Sequence, residues 1–161
     1  MLDYIMQMLF PYNGKIEEIN LTTGWIVQGE RRSDDRQMIQ DLIVSDDGSV
    51  RFEEYDDTGF IYRKWQLAIP SYKVNRLFHA VSQFMGRKRL PQNGGYNAWE
   101  LNVKLSDGKT RQAIGAILPS VKFRSSDLSG IFRKCIPIDG LMVMDGGMTD
   151  YESEEADEDD W

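Results

Sequence analysis

The chain has one cysteine and one histidine in 161 residues. A single Cys135 forms no internal bridge, and a lone His79 anchors no multi-histidine zinc site, so disulfide scaffolds and classical zinc fingers are excluded. No apolar run approaches the roughly 18 to 20 residues needed to cross a bilayer as a helix. The opening stretch, residues 1–10, has no basic flank, carries Asp3 and leads straight into Pro11, which is not the layout of a secretory signal. These absences point to a soluble, cytoplasmic protein with no membrane association. Strand and helix patterns do not alternate often enough for a parallel doubly wound sheet, and no glycine-rich phosphate fingerprint is present. A nucleotide-binding Rossmann domain is therefore excluded.

Charge is abundant and segregated. The formal net charge is −7, from 26 acidic and 19 basic side chains. Residues 1–59 hold 13 acids and 5 bases, residues 60–134 hold 3 acids and 14 bases, and residues 135–161 hold 10 acids and no base. Such an arrangement bears on partners and solubility rather than on fold. From Asp145 onward nine carboxylates meet no base and almost nothing to bury, so residues 145–161 are expected to form a disordered acidic tail. The folded body is then a single domain over 1–144, close to neutral because its two halves oppose each other.

Within that body Leu2, Ile5, Met6 and Leu9 fall at helical spacing and predict a short amphipathic helix. Residues 15–21 and 25–28 read as two short strands broken at Thr22, Thr23 and Gly24. Residues 38–44 and 50–55 flank Asp46, Asp47 and Gly48, a hairpin signal, because Asp and Gly accept the positive φ of a tight turn. A second turn at Asp56 to Gly59 and the alternating run 60–69 complete a three-stranded meander. Ser71 is a candidate N-cap for the clearest helix, striped by Val74, Leu77, Phe78, Val81, Phe84 and Met85 up to Gly86. Trp99, Leu101, Val103 and Leu105 alternate strictly with polar residues, and Asp107-Gly108 turns that strand into residues 110–117. Ser126 and Asp127 then cap a helix bearing Leu128, Ile131, Phe132 and Cys135. Segments 38–86 and 98–136 share this order of elements, a weak ββα pseudo-repeat resting on few matched positions and common Asp-Gly turns. Consecutive hairpins with terminal helices predict an α+β fold, an antiparallel sheet with two to three helices packed on one face.

Catalytic signatures are sparse. His79 flanks an apolar stripe with no Ser or Cys partner placed by any local motif, and Cys135 sits where a small core residue would serve. Asp46-Asp47 and the run Glu53, Glu54, Asp56, Asp57 lack the ligand spacing of a calcium loop and lie on wet turns. No enzyme activity, cofactor or metal is expected. Two charged sets remain. Lys73, Arg76, Arg87, Lys88, Arg89, Lys122, Arg124, Arg133 and Lys134 could contact phosphates or an acidic partner if they converge, the alternative being a solvated face paired with the acids of the first half. The tail offers Asp150, Glu152, Glu154, Glu155, Asp157, Glu158, Asp159 and Asp160, with Tyr151 and Trp161 as aromatic handles. It is either plain solvation or a recognition element.

The expected function is a non-catalytic protein-binding module. An inhibitor, immunity or anti-defence type of protein would dock on a larger partner, such as a nucleic-acid-handling enzyme, with its acidic residues standing in for nucleic-acid phosphates. The alternative is a nucleic-acid-binding accessory domain whose basic block contacts phosphates while the acidic tail restrains it. The compact plan of hairpins and helices recurs in many small inhibitor and immunity proteins, an analogy of architecture only.

Overall fold

The computed structural model of the chain describes residues 15–86, 90–118 and 127–149. Six strands form one sheet: β1 (Ile16–Val27), β2 (Arg36–Ser45), β3 (Ser49–Asp56), β4 (Ile61–Ala68), β5 (Ala98–Leu105) and β6 (Thr110–Ala116). Their spatial order is β4-β3-β2-β1-β5-β6 and each neighbouring pair is antiparallel. Two helices, α1 (Ser71–Met85) and α2 (Leu128–Cys135), occur among the described residues. They pack on each other, and α1 also lies against β1 and β6. The fold is α+β and dominated by its antiparallel sheet. Neither helix is long and apolar enough to cross a membrane. The helix expected over 1–10 and residues 150–161 of the expected tail lie outside the described residues.

The meander forms as its turn chemistry dictates. Gly48 adopts φ +91°, its N–H donates to Ser45 O at 3.0 Å, and a Cβ there would stand 2.6 Å from Ile69 O. Asp47 accepts the Ser49 N–H at 2.8 Å, and its bonds from Ser49 hold its carboxyl below the usual range. The turn at Asp107-Gly108 repeats the construction, with Gly108 at φ +85° bonded to Leu105 O and Asp107 accepting from Lys109 N–H.

Local expectations fail at three places. The break expected at Thr22 to Gly24 does not exist, and β1 runs unbroken for 12 residues. It is a central strand paired on both sides, so Gly24 is held between Ile39 and Ala98 and pairing overrides weak local propensity. Pro70, not Ser71, is the N-cap of α1, and no side chain caps it. Asp127 does cap α2, accepting the Gly130 N–H at 3.0 Å. Finally, the fold runs past the boundary expected at 145. Asp145 forms a two-pronged pair with Arg133 at 2.8 and 3.0 Å, and Thr149 is buried, its N–H bonded to Leu141 O. A composition count assigns Asp145 to the tail because Arg133 is twelve positions away in the chain.

The core lies between the helices and one face of the sheet, and it is organised in cross-strand rows. The central row, Trp65, Phe52, Leu42, Leu21, Leu101 and Ala113, is apolar throughout. The adjacent row reads Arg63, Glu54, Gln40, Thr23, Trp99 and Gly115. Its aromatic end packs edge-on against α1, with the Trp99 and Phe84 rings 6.0 Å apart. Its polar end clamps the C-terminal segment. The amide of buried Gln40 donates to Gly140 O at 2.9 Å and its carbonyl accepts the Met142 N–H at 2.8 Å. Arg63 bonds Asp139 O and Gly140 O alongside. Ile138, Leu141, Val143 and Met144 thereby join the core.

Candidate functional site

The turn from β3 into β4 and the short 3-10 turn Arg32–Asp34 before β2 enclose an open depression of about 630 Å³. Asp34, Asp35, Asp56 and Asp57 line it together with Arg36. Asp56 is 4% exposed and organises the turn. Its carboxylate accepts the Thr58 hydroxyl, the Thr58 N–H at 2.9 Å, the Phe60 N–H at 3.2 Å and the Tyr62 hydroxyl at 3.1 Å. These bonds, the Thr58 hydroxyl foremost, outweigh desolvation and keep the group below the usual carboxylate range. Arg36 donates to the Tyr62 hydroxyl at 3.4 Å. Asp34, Asp35 and Asp57 are exposed, with one Asp35 oxygen accepting the Gly29 N–H at 3.1 Å.

Apolar anchors adjoin this acidic rim. Phe60 and Tyr62 line the depression and pack edge to face, with ring centroids 4.9 Å apart, and both are exposed. Ile61 and Trp65 are also exposed along β4, Ile61 opposite Tyr55 and Trp65 opposite Phe52. The alternation in 60–69 suggests Ile61 and Trp65 as inward residues. Trp65 does lie in the central apolar row, but α1 stands over β1 and β6, and Trp65 is left 53% exposed. Exposed aromatic and aliphatic side chains ringed by charge are the composition of a protein-docking surface.

On the opposite sheet face, Thr22 and Tyr55 both donate their hydroxyls to Asp41, at 2.8 Å each. Burial, then the bond to Asp41, pushes the Tyr55 hydroxyl up to about 12. Glu100 binds Asn102 at 3.1 Å and also takes the Gln112 amide. This face is a satisfied polar lattice, normal for an antiparallel sheet with one solvated side.

His79 is exposed on α1. Cys135 is buried on α2, and burial pushes its thiol up against the opposing influence of Arg76, Lys73 and Lys134. Among the described residues no three His, Cys, Asp or Glu side chains are placed to hold a metal ion. Of the nine expected phosphate contacts, Lys73 and Arg76 lie on α1 and Lys134 on α2. Arg133 is instead half-buried and committed to Asp145, which is two-pronged and so geometrically specific. Arg87, Lys88, Arg89, Lys122 and Arg124 lie outside the described residues, as does the whole set from Asp150 to Trp161.

Sequence reasoning weighed Asp56 and Asp57 as metal ligands and missed the rim. The available signal was the juxtaposition of four acids in 53–57 with Phe60, Ile61 and Tyr62. What it lacked was the knowledge that β4 is an edge and that Asp34 and Asp35 fold beside it. Comparison with protein-family models, with curated proteins and with solved structures finds no match to this chain.

Proposed function

We propose that the chain is a non-catalytic protein-binding module of the inhibitor or immunity type, which docks on a larger partner and sets its carboxylates against a cationic site there. A nucleic-acid-handling enzyme is the kind of partner whose phosphate-binding surface fits. The observation that carries this reading is the exposed acidic rim of Asp34, Asp35 and Asp57, set around the turn that buried Asp56 organises and directly beside exposed Phe60 and Tyr62. Carboxylates steer the encounter with a basic surface, and aromatic anchors supply the desolvated contact that retains it.

The test is affinity capture from lysate of the native source, then binding measurements on the partner identified. Asp34→Asn with Asp35→Asn is expected to weaken binding about tenfold at low salt, chiefly through slower association. Truncation after Thr149 should weaken it further if the acidic residues beyond act in the same field. A partner whose affinity ignores both changes and ignores ionic strength refutes the reading.

A second reading rests on one observation, that Lys73 and Arg76 lie on α1 and Lys134 on α2, two helices that pack on each other. It makes the chain a nucleic-acid-binding accessory domain restrained by its acidic tail. It predicts salt-sensitive binding of short single-stranded oligonucleotides that strengthens on truncation after Thr149. No binding by either form ends it.

A further inference from the structure

The two edges of the sheet are finished differently. Along β6, Ile114 donates its N–H to Pro91 O at 2.8 Å and bridges Gln92, whose amide reaches Gln112 O at 3.0 Å. Gly94 sits so close that a Cβ would stand 2.8 Å from Gly115 O. Along β4, backbone partners among the described residues come from β3 alone. An open eight-residue edge is a template for another strand unless charges, proline or a bulge defend it. Here the register shift lies at the start of β4, opposite Glu54 and Tyr55. The two cations of β4 are turned back onto β3, Lys64 to Glu53 at 3.3 Å and Arg63 to Glu54 at 3.1 Å. Ile61, Tyr62 and Trp65 meanwhile remain exposed.

We propose that this edge is occupied by β4 of a second copy of the chain, paired antiparallel about a two-fold axis at Trp65. Directly opposed residues must share a face, so the axis of such a pair passes through a residue, not between two. An axis at Arg63 or Lys64 opposes like charges. An axis at Gln66 offsets the apolar rows. At Trp65 the axis sets each Trp65 against the other, Arg63 against Leu67 and Lys64 against Gln66. The apolar row of Phe52 and Trp65 then runs unbroken into the second copy.

The area is adequate. Phe60, Ile61, Tyr62 and Trp65, each about half exposed, present roughly 400 Å² of apolar surface per copy, on the usual allotment for large side chains. With the paired backbone this approaches about 1,000 Å² for the pair, the lower bound of a specific interface, so micromolar self-association is expected. The contact is isologous and closed, as a stable dimer requires.

Sedimentation velocity of the full chain between about 1 and about 200 µM is expected to show a monomer–dimer equilibrium. Trp65→Asp should raise the dissociation constant about a hundredfold, with an unchanged far-ultraviolet circular dichroism spectrum. Independently, Trp65→Cys should cross-link to a covalent dimer under mild oxidation, whereas Tyr96→Cys, 85% exposed beside the opposite edge, should not. A chain that stays monomeric over the whole range, whatever else covers the edge, overturns the proposal. So does a dimer that survives Trp65→Asp, or a Trp65→Cys chain that cross-links no faster than Tyr96→Cys. The second copy would cover Phe60 and Tyr62, the anchors of the docking reading, so a partner of that kind competes with the dimer for this surface; the measurements above use the chain alone, and their failure leaves the docking reading in place.

Discussion

Replacing Gln40 with methionine isolates the contribution of one buried amide to the fold. The substitution nearly preserves volume and apolar contact, yet it deletes three bonds: amide to Glu54, amide to Gly140 O, and carbonyl from Met142 N–H. The Met142 N–H belongs to a buried residue and is left without its acceptor, which costs about 1–3 kcal/mol. Glu54 and Gly140 O keep Arg63 as a donor, so their losses are smaller, about 1 kcal/mol each. Methionine returns about 1 kcal/mol by burying the apolar atoms that replace the amide. The net is a destabilisation of about 3 kcal/mol, on the order of a hundredfold in the unfolding equilibrium. At about 2–4 °C per kcal/mol for a chain of this size, Tm should fall by about 6–12 °C. Differential scanning calorimetry measures the shift, and hydrogen exchange at the Met142 amide should accelerate with it. A loss under about 2 °C with Met142 exchange unchanged refutes the assignment of Gln40 as the clamp on residues 139–142.

The other predictions concern the same clamp and its neighbours. At Asp145 burial raises the pKa, but the Arg133 bonds and the Gly147 N–H outweigh it, and the folded value lies below 3.8. A depressed carboxylate stabilises the fold fully above its unfolded pKa and loses that contribution as pH falls through the folded one. Wild type should therefore lose more Tm than Asp145→Asn between about pH 5 and about pH 2, and equal losses refute it. Gly115→Ala would drive a methyl into the Trp99 indole, 2.5 Å from Cε2, with Phe84 behind the ring. It should destabilise by about 1–3 kcal/mol and alter the near-ultraviolet spectrum, and an unchanged Tm would contradict the packing. The Cys135 thiol, buried and pushed up, should react with a disulfide reagent only on the timescale of unfolding. Fast labelling of the native chain would revive it as a nucleophile.

Much of the architecture is legible in the chain because it rests on short-range chemistry. The Asp-Gly turns at 47–48 and 107–108, the period-two run from Trp99 to Leu105 and the stripe on α1 each need only a few neighbouring residues. The unbroken β1 is not legible, because pairing on both flanks, supplied by β2 and β5, overrides the local weakness at Thr22 to Gly24. Gln40 reads as a polar interruption in an apolar run and becomes intelligible only when Gly140 and Met142, a hundred residues on, close around it. The extension of the fold to Thr149 is hidden for the same reason, since Asp145 looks like tail until Arg133 neutralises it.

By itself, the amino-acid sequence determines the Asp-Gly turns, the meander, the stripe of α1 and the segregation of charge, because each follows from propensity, period or composition within a short window. Tertiary structure alone decides which strand ends the sheet among the described residues, which acids gather at one rim beside Phe60 and Tyr62, and which cations are already spent on Glu53, Glu54 and Asp145. Those outcomes depend on the order of strands in the sheet and on where the helices end. Trp65 carries no local sign that it stops at an edge the helices leave uncovered.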